Sequence, residues 1–201
     1  GKQEYVYATS WGVSTRLVGT IVMAHSDDKG LVLPPKLAPV QVVIVPIGKG
    51  DGLAAVLSRV GVLADALRAQ GVRVKVDDRD NVSPGFKYND WELKGACVRV
   101  ELGPRDIEAG QCVVARRDLE DKQTLSLDAA VAHVAAELPK MQQAMYDRAL
   151  ASTEEAGLEQ TRRELLAGAE GRVLELGAGT GLNLPHYRPG AVKIARNQAL
   201  L

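Results

Sequence analysis

Apolar residues crowd Val40 to Ile47 (VQVVIVPI) so closely that the stretch reads as a central β-strand covered on both faces. The next run changes period. Leu53, Val56, Leu57, Val60, Leu63, Ala64 and Leu67 recur at three- and four-residue intervals, which predicts a helix from Leu53 to Gln70 that Gly71 ends. Val72 to Val76 reads as a second strand, followed by the polar turn DDRDNVSPG and a short helix over Gly85 to Leu93. Two further strands, Val98 to Leu102 and Gln111 to Arg116, flank GPRDIEAG, whose Gly, Pro and Asp suit a turn between antiparallel neighbours. Leu127 to Ala144 closes the region as a helix that Pro139 kinks or interrupts. The order βαβαββα predicts an α/β fold, a mixed sheet with flanking helices.

The flanks have a different texture. In LVGTIVM, Leu17, Val18, Ile21 and Val22 fall at helical spacing behind Ser14 and Thr15, which predicts one buried, side-chain-capped helix. From about Tyr146 the chain holds a helix, Glu154 to Leu166, then a strand, Val173 to Leu176, that runs into the glycine turn GAGTG.

Charge narrows the partners. With 25 basic and 25 acidic residues in 201, the formal net charge is zero, so a nucleic acid would be held by local placement of Lys and Arg and not by a strongly basic field. Cys97 and Cys112 stand alone in apolar text without paired zinc spacing, and read as reduced core thiols. No apolar run reaches the length of a membrane span, and the start, Gly1-Lys2-Gln3-Glu4, has no signal-peptide pattern and no initiator Met, which suggests a fragment or a processed chain.

Long stretches of text carry a resemblance: TSWGVSTRLVG, HSDDKGLVLPPKLAPVQVVIVPI, DDRDNVSPGFKYNDWELKG and RVELGPRDIEAGQ. Across residues 4 to 141 the chain resembles prolyl-tRNA synthetases of the kind found in archaea, eukaryotes and some bacteria. The resemblance implies a class II catalytic-domain remnant over 1–36 and an anticodon-binding domain over 38–145. It also implies a cytoplasmic homodimer that uses ATP with magnesium and recognises the anticodon loop of proline tRNA.

GVSTR resembles the third class II motif, so Ser14 and Arg16 are implied to lie at the ATP edge. A planar guanidinium suits that role by pairing with phosphate or stacking on adenine; the lesser alternative is that Arg16 merely solvates a helix start. Proline anticodons contain two adjacent guanines, whose N1–H and N2–H₂ donors suit a carboxylate and whose O6 and N7 acceptors suit a guanidinium. The resemblance puts these roles on Glu92 and Arg99, with Lys122 in EDKQT joining them at a spacing that departs from the family pattern. Arg79 and Lys87, beside the SPG turn, are candidate phosphate contacts or else solvated charges. Trp91 and Phe86 read first as core and second as base-stacking residues, while Pro84 and Gly85 set the turn. The earlier class II motifs are not in this text, and these 201 residues by themselves are expected not to activate proline.

Within the last segment, 146–201, residues 146–191 resemble something else. The text from YDRALA onward is similar to the opening of a class I S-adenosylmethionine-dependent methyltransferase, with Glu175 at the acidic position and Gly177, Gly179 and Gly181 forming the GxGxG turn. No Asp or Glu comes after Glu175 to grip a ribose, and KIARNQALL resembles neither family. An incomplete Rossmann-like segment that does not bind S-adenosylmethionine is the expectation. A methyltransferase fused to an RNA-binding module, or a fusion without coherent function, are the alternatives.

Overall fold

The computed structural model describes residues 10, 12–48, 51–176, 183–187 and 192–197. The chain divides into two compact units, Gly1–Leu138 and Pro139–Leu201.

The first unit is built on a five-stranded sheet. Its strands are β3 (Val42–Pro46), β4 (Val74–Val76), β5 (Val98–Leu102), β6 (Gln111–Arg116) and β7 (Lys122–Ser126), in the order β4-β3-β5-β6-β7. β3 is parallel to β4 and β5, and the β5-β6-β7 half is antiparallel. The unbroken apolar run thus becomes a central strand buried along its whole length, for the reason its composition gave. β7 lies in text too polar to read as a strand. Its residues are mostly exposed, and as an edge it needs a register partner more than a hydrophobic face.

Helix α2 (Asp51–Ala69) buries Val56, Val60, Leu63, Ala64 and Leu67 in one stripe, leaving the expected Leu57 partly exposed. Gly71, at φ +78°, ends it, with the Val72 N–H donating back to the Leu67 carbonyl at 3.2 Å. α3 (Pro84–Leu93) starts one residue earlier than its pattern suggested, because Pro84 takes the first position and the Ser83 hydroxyl accepts from the Phe86 N–H at 3.2 Å. The expected turn between β5 and β6 contains a helical turn, α4 (Pro104–Glu108), with the Asp106 carboxylate accepting from the Gly103 N–H at 2.8 Å.

Helix α1 (Arg16–Ala24) forms where the spacing put it, but it is not buried. Leu17, Val18, Val22 and Met23 all face outward, Met23 at 79% exposure, because no described element packs over them. Nor do side chains cap it. Ser14 and Thr15 contribute their backbone carbonyls, accepting from the Leu17 and Val18 N–H groups at 3.0 Å each.

The segment after α1 packs into the sheet unit. β1 (Ser26–Asp27) and β2 (Gly30–Leu31) form a small hairpin. Leu33 and Ala38 are buried, and the Arg73 guanidinium donates to the carbonyls of Pro35 (2.6 Å) and Ala38 (2.9 Å). The segment up to about residue 38 thus packs directly on the sheet unit.

The last helix of the sheet unit, α5 (Leu127–Thr153), runs uninterrupted through Pro139 into the second unit. Proline forfeits one backbone bond. Unwinding there would forfeit more, since Ala130, Val134 and Leu138 bury the preceding turns. Within the second unit, a wide turn over Glu154–Leu158 pivots on Gly157 at φ +107° and leads to α6 (Glu159–Leu166). Strand β8 (Gly171–Leu176) then pairs in parallel with β9 (Val192–Asn197). KIARN, whose text resembles neither family, supplies that second strand, which its alternation of Val192, Ile194 and polar neighbours permits.

Candidate functional site

An open cleft of about 150 Å³ lies where the C-terminal end of α3 meets β5, β6 and the start of β7. Lys29, Trp91, Glu92, Arg99, Arg117 and Lys122 are among its walls. Three of these residues were expected to act together, and the fold brings them together.

The Arg99 guanidinium donates to Glu92 Oε1 at 2.6 Å through Nη1 and to Glu101 Oε1 at 3.0 Å through Nε. Lys122 Nζ donates to the same Glu101 oxygen at 2.9 Å. Strand geometry explains the first link, since Arg99 and Glu101 are two apart in β5 and share a face. Glu101 thus holds both cations through one atom. Burial by itself lifts the Glu101 carboxyl, but the bonds from Lys122 and then Arg99 outweigh it and hold the group below the ordinary glutamate range.

Tyr88 lies beneath the pair, its ring centre 4.3 Å from the Arg99 guanidinium carbon and 5.4 Å from Lys122 Nζ. Burial first, then the Glu101 charge, pushes its phenol upward, so it stays neutral. Glu92 is held on one side only: no described residue donates to its Oε2. The cleft therefore presents a fixed guanidinium beside a carboxylate with spare acceptor capacity, which is a matched set for the two edges of an unstacked guanine.

Where the end of β4 meets α3, the other candidates form a structural knot. The buried Asp77 carboxylate accepts from Arg79 Nε at 2.8 Å and Nη2 at 2.6 Å, and from Trp91 Nε1 at 2.8 Å. Arg79 also donates to Asp90 at 2.7 Å. Lys87, only 5% exposed, donates to the Asp77 carbonyl at 3.0 Å. Its amine is engaged inside the fold, and a phosphate could reach it only if that bond opened. Trp91 packs against the core around Val43, Val45 and Ala96, whereas Phe86 does not. Phe86 is exposed, with the Arg79 guanidinium 5.9 Å from its ring centre.

The remaining candidates are elsewhere. Ser14 and Arg16 are exposed at the start of α1 and line no part of the cleft. Glu175 lies on β8, and Gly177, Gly179 and Gly181 lie outside the described residues.

Several residues at or behind the cleft are not legible in the sequence pattern. Glu101 is legible in part, since its i, i+2 relation to Arg99 is visible in VRVEL, whereas Tyr88 comes under Arg99 only through the packing of α3 on the sheet. Lys29 and Arg117 are not legible. The Arg117 guanidinium, itself 4% exposed, grips Asp27 with two bonds of 2.8 and 2.5 Å, across ninety positions of sequence.

Residues 41–137 match the family described as anticodon binding domain. The mixed sheet and its flanking helices are those of that class. Among curated proteins, the chain is 48% identical over 172 residues to the proline--tRNA ligase of Deinococcus radiodurans, covering 83% of this chain and 34% of that protein. It is 55% identical over 156 residues to that of Chloroherpeton thalassium, covering 77% and 32%. With that of Chlorobium phaeovibrioides it shares 50% identity over 183 residues, covering 90% and 38%. This chain carries the anticodon-binding domain of the prolyl-tRNA synthetase family, and it spans about a third of the length of these relatives. Coverage of 90% of 201 residues also carries the likeness beyond Tyr146, further than the resemblance over 4–141 implied.

Proposed function

We propose that this chain binds the anticodon loop of proline tRNA, with Glu92 accepting from the Watson–Crick edge of one guanine and Arg99 donating to O6 or N7 of the other. The observation that carries this reading is the 2.6 Å Glu92–Arg99 pair at the open cleft, fixed from behind by Glu101 and Lys122. A guanidinium and a carboxylate pre-set in this way lose little side-chain freedom on binding, so their donors and acceptors discriminate between bases. In this reading Lys122 neutralises Glu101 and lends positive potential to the bound strand, and Arg79 and Lys87 shape the turn that leads into α3. The domain serves the ATP-dependent attachment of proline to tRNA by the longer cytoplasmic, dimeric enzyme, in which Ser14 and Arg16 stand at the ATP edge and magnesium accompanies the nucleotide.

The test is direct titration with anticodon stem-loops. The purified chain binds a loop with two adjacent guanines more tightly than one in which both are replaced. Glu92→Ala weakens the first by about 1–3 kcal/mol and relaxes discrimination at one position only. Equal affinity of the unmutated chain for the two loops would remove the reading.

A further inference from the structure

The hairpin formed by β1 and β2 precedes the matched domain, yet it is fastened to the cleft at two independent places. Gly30, at φ +130°, lies so close to the end of α3 that an added Cβ would stand 2.4 Å from Leu93 Cα, one residue beyond Glu92. Arg117, in the turn just after β6, donates to Asp27 through both terminal nitrogens and to the Glu92 carbonyl through Nε at 3.3 Å. One buried guanidinium thus ties the hairpin to the backbone of the residue proposed to read a guanine. Asp27 in turn accepts from the Lys29 N–H at 2.8 Å, which fixes the backbone from which the Lys29 side chain leaves.

Lys29 lines the cleft. Its side chain is 63% exposed, and the anion it pairs with, Glu120 at 3.9 Å, has a side chain 94% exposed, so the charge is available at the mouth. The hairpin backbone is thus fixed by its packing on α3, while the Lys29 side chain is left largely to solvent at the cleft.

We propose that the hairpin is part of the RNA site, with Lys29 contacting a backbone phosphate beside the base held by Glu92 and with Asp27 and Arg117 as its positioning residues. The proposal rests on the anticodon reading for its ligand. Glu92 and Arg99 specify the base, and Lys29 adds affinity that is blind to sequence.

Salt dependence separates the two contributions. The full 201-residue chain is titrated at several salt concentrations with the two-guanine stem-loop and with its substituted counterpart. Lys29→Ala lowers affinity for both RNAs by the same factor and makes the slope of log K against log salt shallower by about 0.7 to 1, the signature of one lost phosphate contact. Lys75→Ala, an exposed lysine on the opposite edge strand, leaves the slope unchanged. Asp27→Ala makes the slope shallower in the unmutated background and adds nothing to Lys29→Ala, a non-additivity that a purely structural role for Asp27 would not give. An unchanged slope in Lys29→Ala, or a loss confined to the two-guanine loop, overturns the proposal. Equal binding of both loops by the unmutated chain sinks the guanine reading alone, because the slopes still count the phosphate. Failure to bind either RNA sinks both.

Discussion

Asp77 shows how much a single side chain organises here. Its carboxylate takes bonds from Arg79 and Trp91 in a buried site, and Arg79 chiefly holds its pKa at about 2, down from 3.8, against the opposing effect of burial. The folded value lies below the unfolded one, so the stability it contributes is complete above about pH 4 and is lost as pH falls toward 2. A shift of this size corresponds to about 2 kcal/mol. Urea unfolding between about pH 5 and about pH 2 should show that loss, and Asp77→Asn should flatten the curve while lowering stability at neutral pH. A slope unchanged by the substitution would show that other carboxylates carry the acid sensitivity.

At the scale of elements, close approach decides more than hydrophobic pattern does. Gly95, at φ +75°, ends α3, and a Cβ there would stand 2.7 Å from Leu31 Cβ and 2.9 Å from Leu33 Cγ. The hairpin strand β2 and the tail of α3 touch because this glycine has no side chain. Gly95→Ala imposes both left-handed strain and a collision, and should cost about 1–3 kcal/mol, read as a lower denaturant midpoint at unchanged m-value. The same elements show what periodicity can and cannot reveal. The stripe of α2 and the run in β3 were plain because burial on one face or two leaves a local signature. α1 had an equally clear stripe and yet is exposed, since a stripe states that a face wants cover and not that cover is present.

For the whole molecule, the sheet unit and the second unit carry different expectations. β8 and β9 form a two-stranded parallel pair, and no acidic residue comes after Glu175 to hold a ribose. Calorimetric titration with S-adenosylmethionine should therefore give no saturable heat. A saturable isotherm would mean that the glycine turn, despite its incomplete surroundings, forms a working site.

The local order of strands and helices, the central position of β3 and the resemblance that pointed to Glu92 and Arg99 were all legible in the sequence, because each depends on residues within a few positions of one another. Which charges meet was not. Lys87 became an interior donor, Lys122 came to Glu101 through the pairing of β6 with β7, and Arg117 reached back ninety positions to Asp27. Those partnerships depend on strand register and on two glycine-permitted contacts, and a pairing energy set by distance in space leaves no periodic trace along a chain. Local pattern was enough for the elements with a buried face and for the family; β7, α4 and the hairpin at the mouth of the cleft came from packing and register alone.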